Sequence, residues 1–197
     1  MRHWETTAGK ALTLPIRLNT AEVVDPVPVK GGIINGNNKA GFDTKKRVIL
    51  TYHKFDEKGR TQVYNARLEN GAWKIYQTSD WEYRWEFSGG GSIPFDVKLG
   101  SVRVKDGALL LDYSHVQYGS GTWVLDEATL KPKKTLERER PWPAEWEKPE
   151  VTGMQVHLQS GRGPGKYVLR WETLGPNRDR PRTGELPGPT MLRVYYQ

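Results

Sequence analysis

Three stretches of this chain share one pattern of apolar and polar positions: Val48–Phe55 (VILTYHKF), Leu109–Val116 (LLLDYSHV) and Tyr167–Leu174 (YVLRWETL). Each runs an apolar triplet into one further residue, then an aromatic, then polar residues. The copies recur at roughly 60-residue intervals, inside or just above the period of propeller blades. Repetition on that scale predicts a modular β architecture. A propeller builds its site where several blades converge, so no local motif is expected to announce the chemistry.

The stretches between the copies fill out three units and a leader. Residues 11–29 alternate weakly and carry Pro15, Pro26 and Pro28, which predicts an edge strand and then an extended connection. The first unit, about 31–79, predicts strands over 38–42, 47–55, 61–68 and 72–77. Asn70-Gly71 favours a primed hairpin turn, and Gly59 supplies positive φ. The second, about 90–136, predicts strands over 95–104, 108–117 and 122–126, then a less regular 128–136. The third, about 152–197, predicts strands over 154–159, 166–173 and 191–196. The connection 137–152, with Pro141, Pro143, Pro149, Trp142 and Trp146, is too proline-rich for strand and is expected to pack over a blade through its tryptophans. No stretch holds 3.6-residue periodicity for three turns. The fold expected is all-β, a partial β-propeller of about three four-stranded antiparallel blades in one domain over 1–197. Three blades fall short of the roughly 4 to 8 that close a ring. The open edges call for a second copy of the chain, for blades from a longer protein, or for caps formed elsewhere.

Composition narrows this little. Eight Trp and nine Tyr within 36% hydrophobic residues suit strands, and no apolar run nears the roughly 20 residues of a membrane span, so neither a membrane nor an anchor is expected. The net charge of +7, from 30 Lys and Arg against 23 Asp and Glu, is dispersed, which favours anionic partners in general or a plain solvated surface. Cysteine is absent, so no disulfide or thiolate metal site can form. Residues 1–10 lack the apolar core of about 7 to 15 residues of a secretory signal, which leaves a cytoplasmic protein or a start further upstream.

Residues 31–39 (GGIINGNNK), 51–56 (TYHKFD), 61–67 (TQVYNAR), 73–85 and 169–178 (LRWETLGPNR) resemble the carboxy-terminal part of the BNR-repeat, sialidase-like β-propeller family that includes ulvan-lyase-type polysaccharide lyases. The resemblance implies a carbohydrate-associated module, secreted or periplasmic, with acidic polysaccharide as its partner. In such lyases the implied catalytic His, Tyr and Arg sit in stretches resembling Asp-Asp-His-His, Tyr-Pro-x-Phe and Leu-His-x-x-Trp, and none of these is present. The aspartate box is reduced to residues 3–5. No catalytic position of the family carries over, and the chain is expected to be non-catalytic alone; a lyase completed by further blades or a second chain is the alternative.

Read without the family, uronate elimination needs a cation for the sugar carboxylate, a base and an acid. Tyr52, His53, Tyr64 and Arg67 offer these types in one hairpin. Tyr52 and His53 are adjacent and so face opposite ways, as do Tyr64 and Arg67, three apart. His53, Tyr64 and Arg67 are weak catalytic candidates, the alternative being structural roles between blades. His115, His157 and His3 are read as structural or exposed, and no cofactor or metal site is expected. For binding, Trp81, Tyr83 and Trp85 would share a face in an extended segment, with Arg84 able to pair with a carboxylate or sulfate; ordinary packing is the competing reading. Asn37 and Asn38 could donate to a ligand or simply form turns. Residues 161–165 (GRGPG) lack the Gly-Lys-Ser/Thr ending of a phosphate loop, and no RNP-type motif or dense basic stripe points to nucleic acid.

Overall fold

Strands buried on both faces organise the first part of the chain. In the computed structural model, which describes residues 3–137, 142–161 and 166–196, every residue from Thr61 to Arg67 is buried, as are Thr51, Tyr52 and His53 on the neighbouring strand. Two compact units form, one from residues 1–87 with 96–138 and one from 88–95 with 139–197. All regular structure is antiparallel strand apart from one 3-10 turn.

The first unit begins with a short pair, β1 (Trp4–Glu5) and β2 (Ala11–Leu12). Strands β3 (Lys39–Phe42), β4 (Val48–Phe55), β5 (Thr61–Glu69) and β6 (Ala72–Gln77) follow in sequential order as a four-stranded sheet. Asn70 and Gly71 both take positive φ, 51° and 78°, the I′ geometry that an Asn-Gly hairpin favours. Of the edge strand expected over 11–29, only β2 is strand; the proline-bearing remainder forms turns and bends that lie over the sheet.

A five-stranded sheet contains β7 (Val97–Leu99), β8 (Arg103–Lys105), β9 (Ala108–His115), β10 (Gly119–Leu125) and β11 (Pro132–Leu136). The single strand expected over 95–104 is broken in two. β7 pairs with the end of β9 and β8 with its start, and buried Val102 lies in the gap between them. The first sheet makes room for this break: a Cβ on Gly41 would lie 2.0 Å from the Val102 carbonyl oxygen. The Asn37 side chain reinforces the junction by donating to Val97 O at 3.1 Å and accepting from Leu99 N at 3.0 Å.

The second unit holds three strands where four were expected: β12 (Met154–Ser160), β13 (Tyr167–Leu174) and β14 (Arg193–Tyr196). Residues 175–192, rich in proline, glycine and arginine, form no strand among them. The 3-10 turn, Ala144–Glu147, seats Trp146 on Tyr195 with ring centroids 3.9 Å apart. The three repeated stretches supply β4, β9 and β13, each lying between two strand partners in its sheet.

Candidate functional site

Alternation along β4 and β5 sorts the polar side chains between two faces. Tyr52 pairs with Tyr64, and His53 with Val63, while Arg67 opposes Ile49. One face therefore carries Tyr52, Tyr64 and Ala66, packed with Val24, Leu50, Trp73 and Ile75. The other carries His53 and Arg67. The weak catalytic candidates are thus not brought together.

Each has a local structural role. His53 is fully buried, its ring 5.0 Å from Trp85 and 6.3 Å from Phe87. Neither ring nitrogen has a well-directed hydrogen-bond partner. Burial pushes its pKa down to about 4, against weaker support from the Gly32 backbone. The Arg67 guanidinium donates to Glu69 at 2.8 Å, to Tyr76 Oη at 3.2 Å, and to the Glu127 and Ala128 carbonyls, clamping the edge of the second sheet.

The aromatic stripe is interior. Trp81 is buried among Trp123, Tyr118 and His115, and Trp85 is buried against His53 and Phe87, so neither ring has an open face to stack on a sugar. Half-buried Tyr83 donates to Asp96 at 2.5 Å; burial first, then that carboxylate, pushes its pKa up to about 12. Arg84 is exposed but engaged, lying 3.8 Å over the Phe55 ring and bonded to Glu86 and Gly59 O. Asn37 is the buried sheet-to-sheet bridge. His115 accepts the Gln117 and Tyr118 amides on Nδ1, which places its proton on Nε2.

Asn38 alone among the sequence-derived binding residues opens onto a groove. This groove, about 330 Å³, lies on the Tyr52 side of the first sheet, with Val24, Ile33, Ala40 and Leu50 as its apolar wall and Asp25, Asn38, Lys39 and Tyr52 as its polar lining. Tyr52 donates a short hydrogen bond to Asp25, and Lys54 reaches the same carboxylate at 2.7 Å. Burial, with Asp25 adding to it, raises the Tyr52 pKa far above the ordinary phenol. Lys54 also sits 4.7 Å over the Tyr64 ring. Asp25 is thereby neutralised in place. Lys39, whose Nζ donates to Gly36 O at 2.8 Å, faces no carboxylate within ion-pair distance among the described residues. The lining therefore offers apolar carbon surface, amide and phenol hydrogen-bonding groups, and one cation without a counter-ion.

Sequence reasoning missed Asp25, Lys39 and Lys54. Asp25 lies in the proline-rich leader, 27 residues from the tyrosine it meets, and its only sequence signal is a carboxylate placed just before two prolines. A family model described as BNR repeat-containing family member matches residues 1–81, the part of the chain that carries the first sheet and this groove. No curated protein matches the chain.

Proposed function

We propose that this chain is a carbohydrate-associated BNR-repeat module, non-catalytic by itself, that binds acidic polysaccharide in the groove beside Tyr52. The two sheets of the first unit, each running in near-sequential strand order and joined through Asn37, Gly41 and Arg67, are read as neighbouring propeller blades. The observation that carries the reading is the groove itself: within the BNR-matched segment, Asp25 is satisfied by Lys54 and Tyr52 while Lys39 is left to meet an anion. A sugar ring can lie against Leu50 and Ala40 with its carboxylate or sulfate at Lys39 and its hydroxyls at Asn38.

Affinity electrophoresis through gels containing uronate polymers tests this. The wild-type chain should be retarded, and Lys39→Ala with Asn38→Ala should weaken retardation about tenfold, in line with loss of a charge-assisted hydrogen bond. Unchanged retardation of the double variant, with its thermal midpoint intact, removes the groove as the binding site.

A further inference from the structure

The register of the second unit segregates its chemistry between two faces. Val168, Arg170 and Glu172 of β13 are buried on one face, where Arg170 bonds Glu172 at 2.6 Å, Glu150 at 3.1 Å and the carbonyls of Trp146 and Lys148. The carboxylates that the sheet engages all lie on that side. On the other face the cross-strand pairs are rings: Tyr167 beside Tyr196 at 5.1 Å, and Trp171 stacked on His157 at 5.1 Å with 17° between planes. Gln155 and Gln159 occupy the same face of β12. Among the described residues no register position of this face carries Asp or Glu. Tyr196 is 72% exposed and Tyr167 53% exposed.

We infer that this face is a second glycan-binding platform, taking a linear acidic polysaccharide laid along β13. Tyr167 and Trp171 are four residues apart on one strand, about 13 Å by strand rise, so their rings form successive stacking points for an extended polymer rather than a pocket for one sugar. Amides beside the rings supply both donors and acceptors for ring hydroxyls. The exclusion of carboxylates to the opposite face spares an anionic chain from like-charge repulsion, the complementarity that selects this occupant. A hydrophobic partner protein would leave Gln155, Gln159 and His157 to be desolvated without matched groups. The inference rests on the acidic-glycan reading of the chain but on none of the groove residues.

Labelling the chain with 5-fluorotryptophan and assigning the Trp171 fluorine resonance through Trp171→Phe gives a direct reporter of this face. Titration with polygalacturonate should shift or broaden that resonance saturably, in wild type and equally in Lys39→Ala. Tyr196→Ala, at an exposed position of the edge strand, should weaken the response at least fivefold while leaving the thermal midpoint in place. A Trp171 resonance unmoved at polymer concentrations that saturate gel retardation overturns the platform and leaves the groove standing. Loss of the response in Lys39→Ala also overturns it, because the effect would then be relayed from the groove. A resonance that moves with protein concentration in the absence of polymer identifies a self-association surface and overturns it too. If the groove variants bind normally while Trp171 still responds, the groove reading fails and the platform holds.

Discussion

Folding around His53 requires a neutral imidazole, because protonation would place a charge among Trp85, Phe87 and the sheet with no partner for either ring nitrogen. Its pKa falls to about 4 in the folded chain from an ordinary value of 6.5. The unfolded chain therefore takes up the proton first as pH drops. The stabilisation is complete above about pH 6.5 and is lost between 6.5 and 4, amounting to on the order of 3 kcal/mol. Denaturant unfolding of wild type and His53→Leu at pH 7 and pH 4.5 should show a smaller acid loss in the variant, and equal losses would refute the assignment. His115 adds in the same direction, since burial lowers its pKa and protonation on Nδ1 would expel the two amides that shape the 115–118 turn. Residue patterning made the opposed directions of Tyr52 and His53 readable in advance. It could not reveal which of the two faces opens onto a groove, because that depends on what the leader covers.

Turn chemistry at the scale of single elements was partly readable. Asn70-Gly71 forms the primed hairpin its sequence favours, and Asp106-Gly107, with φ of 50° and 75°, does the same between β8 and β9. A second device escaped notice because it looks like ordinary polar loop. Asp43 accepts the amides of Lys45 and Arg47 and the Arg47 Nε, and Asp56 does the same for Lys58, Arg60 and the Arg60 Nε. Each Asp-x-x-x-Arg turn closes one strand onto the next, with Lys46 or Gly59 at positive φ. Asp126 accepts the amides of Ala128 and Thr129 in a related turn. Asp56→Ala should cost about 2 kcal/mol by leaving these donors unpaired, more than Asp126→Ala at its more exposed turn, as read from chemical denaturation at pH 7. Equal, sub-kilocalorie effects would show that the backbone holds the turn unaided. The break between β7 and β8 was not readable either. Gly100 and Val102 look like strand positions until the backbone of Gly41 in the other sheet is brought against them.

Across the whole molecule, the strand-rich class was legible because period-2 alternation and turn residues act locally. The groove was not, because its polar lining joins a leader carboxylate to β3 and β4 through contacts that no spacing encodes. The same separation bears on catalysis. Elimination from a uronate needs a cation at the carboxylate, a base at the neighbouring carbon and an acid at the leaving oxygen, all within reach of one sugar. In this chain His53 and Arg67 are buried on the face opposite Tyr64, and the Arg67 guanidinium is saturated by Glu69, Tyr76 and two carbonyls. Tyr52, which does reach the groove, gives its proton to a hydrogen bond with Asp25 and has its pKa raised, so at neutral pH it is a protonated phenol and a poor base. Incubation with uronate polymers should therefore produce no growth of the ultraviolet absorbance that an unsaturated uronate gives, at any pH from 6 to 9, even under conditions where gel retardation shows binding. A steady rise that disappears in Tyr52→Phe would place a working base in the groove; one that disappears in His53→Ala would require the buried face to open during turnover. Either result would replace the binding-module reading with an enzymatic one.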